Sequence, residues 1–252
     1  LKQLGEEGDR NYVKMAVEVL LQYSNTDAEP VRQNTFYRYD SNWNRISYTH
    51  HWDTYAGYLT FNHILYENSP RYQLKENSQA WMCQNNYKPG DPEPDVREEA
   101  FPHLWEQQPR ELLRLLLSSS CAPVHHFAVK ALRACPQFCA EIDVETAIAL
   151  LHKLYDVTAQ FGFEIARNLY NSAQPNQELV SSMVNCLIPE ARQVAYSWIE
   201  ESRNNFISDI NFIANLVTSS YPDTRQFSRR LLSSSVISDN AAKLLIARVI
   251  TE

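Results

Sequence analysis

The sequence predicts an all-α protein, an α-α superhelix of stacked helical hairpins with an irregular, aromatic-rich N-terminal part. Three observations carry that prediction: scarce glycine, helix-start motifs that recur along the chain, and apolar stripes spaced four residues apart. The 252 residues are 44% hydrophobic and 21% charged, close to an ordinary globular composition and far from a disordered one. Only five residues are glycine, about 2% against a usual ~7%. Phosphate-cradling loops and dinucleotide-binding turns need glycine where backbone must approach a ligand closely. With no GxGxxG and no GxxxxGK[ST], those nucleotide-binding classes are excluded. No run approaches the ~18 apolar residues of a membrane span, and residues 1–10 lack a signal-peptide profile. Five cysteines without framework spacing argue against a disulfide-stapled secreted fold, so a cytoplasmic address is expected.

From the N-terminus, Val13, Ala16, Val17, Leu20 and Leu21 form one apolar face, predicting a helix over Asn11–Tyr23. A second helix is expected over Asp53–Tyr66, and an extended loop over about 70–94, where Pro, Asn and Gly collect. Residues 1–94 are thus read as a helical capping region and 95–252 as the repeat region of one continuous superhelix. In the latter, Pro94-Asp95-Val96-Arg97, Pro189-Glu190-Ala191-Arg192 and Pro222-Asp223-Thr224-Arg225 share Pro-acid-x-Arg, and Glu29-Pro30-Val31-Arg32 is a looser version. Proline belongs in a first turn, where its missing N–H has no partner to lose, and an acid there faces the positive end of the helix dipole.

Stripes follow these starts: Val96, Ala100, Leu104; Val124, Ala128, Leu132; Phe161, Ile165, Leu169; Ala191, Ala195, Ile199; and Thr224, Ser228, Leu232. They succeed one another at 28, 37, 30 and 33 residues, and each interval holds one further helix (about 111–118, 144–155, 177–187 and 209–219). A small residue at the middle of a stripe lets a neighbouring helix approach. The motifs and stripes of residues 95–252 resemble the HEAT and armadillo-like families. The resemblance implies a scaffold and no particular chemistry. The copies at Ala122–Leu132 and Phe161 depart from the pattern, with His125 and Gly162 where arginine stands elsewhere. Ile64–Tyr72 together with Glu98–Trp105 is similar to solenoid segments of large bacterial multidomain proteins, some of which carry a WGR module. That similarity implies flanking domains, as does a sequence opening at Leu1 rather than Met and ending at Glu252 after an apolar helical pattern.

Chemistry-bearing residues are few. Cys121, His125, Cys135 and Cys139 could supply four zinc ligands, but the spacing is not that of structural zinc sites and Pro136 interrupts it, so core cysteines are the preferred reading. His50-His51-Trp52-Asp53 is read as a solvated helix start capped near Asp53. No cofactor or metal site is expected. Residues 36–87 hold thirteen aromatics, including Trp43, Trp52, Tyr55, Tyr58 and Trp81, with Arg38, Arg45 and Arg71 interleaved. They suit either a cap over the open end of the stack, the favoured reading, or a partner surface. Arg225, Arg229 and Arg230 form a second candidate, a local basic strip that Arg192 can join across the stack, unless Arg192 and Arg225 ladder against acids of adjacent repeats.

The net charge is −7, with 9 basic and 13 acidic residues in 1–95 and 14 and 17 in 96–252, which disfavours phosphate binding. The leading expectation is a non-catalytic scaffold that binds a protein or peptide. The alternatives are a nucleic-acid-binding solenoid or a helical-repeat DNA glycosylase, for which Trp105, Trp198, Asp209 and Arg192 supply residue types but no motif.

Overall fold

The computed structural model describes residues 1–234 and 239–251. It is mostly helical, with two small antiparallel sheets, and divides into two compact units, 1–136 and 137–252. The boundary expected after residue 94 falls inside the first unit. No helix among the described residues is long and apolar enough to cross a membrane.

The first unit contains helices α1 (Lys2–Glu6), α2 (Asn11–Leu20), α3 (Leu59–Tyr66), α4 (Pro102–Glu106), α5 (Pro109–Ser118) and α6 (Ala122–Arg133). Between α2 and α3 lie strands β1 (Arg32–Tyr39) and β2 (Arg45–Trp52), and after α3 come β3 (Tyr72–Leu74) and β4 (Trp81–Cys83). Helix α2 forms as its spacing predicts, with Tyr12, Val13, Ala16, Val17 and Leu20 fully buried. The Tyr12 ring meets Phe101 and Trp105 edge-on at 5.0 and 6.2 Å, and Trp105 meets Phe127 at 4.9 Å. The Trp105 Nε1–H donates to the Ala100 carbonyl.

Three expectations for this unit are corrected. The N-terminal part is not all helix. Residues 32–52 alternate aromatic and β-branched residues with polar ones on either side of an Asp-Ser-Asn turn, which is strand chemistry. His50, His51 and Trp52 accordingly end β2 rather than begin a helix, and the helix expected from Asp53 starts only at Leu59. Finally, Pro94 begins no helix and Val96 is exposed. The backbone there pairs with the end of α3 instead: Asn68 N–H donates to Glu98 O and Ala100 N–H to Ile64 O, so the next helix waits until Pro102.

A short helix, α7 (Pro136–Ala140), follows α6. The second unit holds α8 (Val144–Leu151), α9 (Asp156–Leu169), α10 (Gln177–Val184), α11 (Pro189–Glu201), α12 (Arg203–Ile207), α13 (Ile210–Val217), α14 (Pro222–Ser233) and α15 (Asp239–Thr251). Helices pack in successive pairs, α8 with α9, α10 with α11 and α13 with α14; α10 also packs on both α8 and α13. Side chains of Asp143, Asn176 and Asp209 accept amide hydrogens at the starts of α8, α10 and α13. These caps stand 33 residues apart.

Helices α6, α9, α11 and α14 begin at residues 122, 156, 189 and 222, and the third residue of each, Val124, Thr158, Ala191 and Thr224, is fully buried. The stripe of α9 is therefore Thr158, Gly162, Ala166, three residues before the one read from sequence. The irregular 37 and 30 residue steps become 34 and 33. Gly162 is where α9 meets α8: a Cβ there would lie 2.7 Å from the Leu151 backbone nitrogen and 2.9 Å from Leu150 Cβ. Backbone cannot yield as a side-chain tip can, so Gly162→Ala is expected to cost about 1–3 kcal/mol. Thermal unfolding by far-ultraviolet circular dichroism checks this; an unchanged midpoint would refute the close approach.

Candidate partner-binding surface

Strands β1 and β2 form a ribbon whose register pairs Arg32 with Trp52, Phe36 with Tyr48 and Tyr39 with Arg45. Successive strand residues point to opposite faces. One face carries Arg32, Asn34, Phe36 and Arg38 across from Trp52, His50, Tyr48 and Ile46; the other carries Thr35, Tyr37 and Tyr39 across from Thr49, Ser47 and Arg45. On the first face Phe36 stacks on Tyr48 at 5.7 Å, His50 lies 5.1 and 5.4 Å from these two rings, and Trp52 meets His50 edge-on at 5.9 Å. Burial and then the charges of Lys75 and His51 press the His50 imidazole below its ordinary pKa. On the second face the Arg45 guanidinium sits 3.6 Å over the Tyr37 ring.

The turn is held by Asp40, whose Oδ1 accepts the amides of Asn42 and Asn44, both at 2.8 Å. Those bonds, the Asn44 amide foremost, hold the Asp40 carboxyl below the usual carboxylate range. The turn places Trp43 in the left-handed region, φ 62°, and leaves its indole 83% exposed at the tip. Phe36, Tyr37, Tyr39, Ile46 and Tyr48 are also exposed. The capping role expected of the aromatics thus does not hold for this ribbon.

The remaining sequence candidates behave differently. Tyr55 is buried and Tyr58 partly so; their hydroxyls donate to the carbonyls of Ser24 and Asp27. Arg71 is 5% exposed. Its Nε and Nη2 donate to the two Glu98 oxygens at 2.9 and 2.6 Å, Nη1 donates to Tyr87 Oη, and Glu93 lies 3.6 Å away. Tyr72, Tyr87 and Tyr66 surround the guanidinium at 4.9, 5.2 and 5.5 Å. Burial opposes the Arg71 charge, but the Glu98 hydrogen bonds outweigh it and hold the proton more firmly than usual. Trp81 is buried beside this group on β4.

Arg192 and Arg225 are each held by backbone carbonyls. Each stands at the fourth residue of its helix and closes the loop behind it: Arg192 Nη1 donates to Cys186 O, and Arg225 Nη1 to Ser219 O. His125, at the same place in α6, makes the same contact to Ser119 O. Arg192 Nε also donates to Asp223 Oδ2 at 2.8 Å, the ladder between the two Pro-acid-x-Arg starts. Arg229 is exposed.

The glycosylase residue types are engaged elsewhere. Trp105 is in the core, Trp198 stacks on Tyr170 at 3.7 Å, and Asp209 caps α13. Cys83, Cys121 and Cys186 are buried thiols, Cys135 and Cys139 partly buried ones; among the described residues no three His, Cys, Asp or Glu are placed to share a metal ion. Sequence reasoning missed the strand pairing that makes the ribbon and the Glu98 partner of Arg71. The alternation over 32–52 was the available signal for the first, and none marked the second. No protein-family model matches the chain, and no curated protein or solved structure matches it.

Proposed function

We propose that the chain is a non-catalytic interaction module whose docking element is the β1–β2 ribbon and whose partner is an extended acidic segment of another protein. The observation that carries this is a ribbon with aromatic side chains exposed on both faces and a β1 outer edge that no strand covers among the described residues. A lone two-stranded hairpin is marginal in water, and an open edge is a template for a further strand. Addition of an extended segment along β1 would pair those backbone groups and cover the exposed rings. Charge selects its sign: residues 31–52 hold Arg32, Arg38 and Arg45 against Asp40 alone, a basic arm on a chain of net charge −7. The helix pairs, with caps 33 residues apart and α8, α10 and α13 packed in sequence, support reading the second unit as a HEAT-like stack.

Titration of an alternating Glu–Val peptide against Trp fluorescence tests the proposal, beside a Lys–Val peptide and a single-stranded oligonucleotide. Saturable binding of the Glu–Val peptide is expected, weakened about tenfold or more in Arg32→Glu/Arg38→Glu, since opposed charges replace attractive ones. Absence of Glu–Val binding, or equal or tighter binding of either other probe, overturns it.

A further inference from the structure

The first unit holds a second feature of different chemistry. A cavity of about 230 Å³ is lined by Tyr55, Tyr66, Tyr72, Trp81 and Tyr87, with Asp53 and Asp91 among the remaining walls. It is smaller than the ~300–1,000 Å³ of sites for drug-sized ligands, which limits an occupant to a head group. We propose that this cavity binds an alkylammonium head group with a neutral oxygen acceptor close to its nitrogen, a choline-like amino alcohol.

Arg71, the cation that lines the cavity, is spent on Glu98, Glu93 and the Tyr87 hydroxyl. Asp53 and Asp91 have no ion-pair partner among the described residues. Asp53 accepts the Thr54 amide and the Tyr72 hydroxyl, and Asp91 accepts the Lys88 amide. Two carboxylates without counter-charge beside five aromatic rings make a setting for a diffuse, weakly hydrated cation, which ring faces attract electrostatically. The chain's own Arg71, held among three of the same tyrosines, shows that these rings accept a cation.

Trp81 lines this cavity and a second one that shares Tyr72 with it. Trp81 is 5% exposed, and its Nε1–H is buried without a hydrogen-bond partner among the described residues. Buried indole N–H groups usually find an acceptor, because leaving one unpaired forfeits its hydration. An oxygen on the ligand would supply that acceptor, whereas a simple tetraalkyl cation would not.

The test uses the whole chain and calorimetric titration with choline, tetramethylammonium, the uncharged choline isostere dimethylbutanol, and a peptide bearing trimethyl-lysine. Choline should bind saturably, and dimethylbutanol about tenfold more weakly. The trimethyl-lysine peptide, whose head group carries no oxygen, should bind more weakly than choline. Tetramethylammonium should bind more weakly than choline in the native chain. In Trp81→Phe, which keeps a ring and removes the donor, the two should bind alike. Asp91→Asn, at an exposed position, should weaken choline binding without altering the circular dichroism spectrum. Dimethylbutanol or the peptide binding as tightly as choline, or no saturable binding of choline up to about 10 mM, would overturn the proposal.

Discussion

Replacing Glu98 with alanine is expected to lower the stability of the first unit by about 3–5 kcal/mol, the cost of removing one partner from a buried ion pair. Arg71 and Glu98 side chains are each 6% exposed, and the pair is bidentate. Without Glu98 the guanidinium keeps only Glu93 at 3.6 Å and the Tyr87 hydroxyl. The Ser69 hydroxyl, which donates to Glu98 Oε1, loses its acceptor as well. Since the pair joins the segment before β3 to the segment before α4, both hairpin and cavity should loosen together. Four of the five tryptophans lie in residues 1–136, so denaturant unfolding followed by Trp fluorescence reads this unit chiefly. A shift on the order of 10 °C in thermal midpoint should accompany it. The double variant Arg71→Met/Glu98→Met should recover much of the loss, because apolar side chains of similar volume leave no buried charge unpaired. A loss below about 1 kcal/mol for Glu98→Ala would mean that the pair does not hold this segment.

Arg192→Met should be the most damaging single polar change in the second unit. The side chain is 8% exposed and donates to the carbonyls of Cys186 and Leu187 and to Asp223. Methionine keeps the stem and strands the acceptors, at about 1–3 kcal/mol for each buried group left unpaired. The change should also alter the acid limb of stability. Burial alone would raise the Asp223 pKa, but the hydrogen bond and charge of Arg192 outweigh it and hold it below its ordinary value of 3.8. A carboxyl lowered in this way binds fewer protons folded than unfolded, so its contribution is complete above the unfolded value. It fades as pH falls below about 3.8 through the lower folded value. The native chain should therefore lose stability over that interval more steeply than Arg192→Met. Parallel acid profiles followed by circular dichroism would refute the coupling.

How much of this was legible beforehand depended on how local the signal was. Helices α5, α6, α8, α10, α11, α13 and α14 lie close to where prolines, Asx residues and apolar spacing put them. Their caps and first turns bond within three or four residues, so sequence displays them directly. Helix α9 was placed but read out of register. It has no starting proline, and Phe161, Phe163 and Ile165 are buried alongside Thr158 and Ala166, so apolar spacing alone favoured the wrong stripe. The ribbon carries a readable alternation, yet its aromatic density also suits burial. The side chains themselves do not say whether water or protein will cover them.

By itself, the sequence determined that the chain is mostly helical, where its later helix pairs begin, and that proline, Asx caps and small residues recur with them. Tertiary structure alone decided that Arg71 meets Glu98 across 27 residues, that Arg192 meets Asp223 across 31, and that the ribbon stays uncovered. The physical reason is range. Helix signals arise from bonds between near neighbours, whereas ion pairs, cavities and exposed faces depend on which distant segments the packed core brings together.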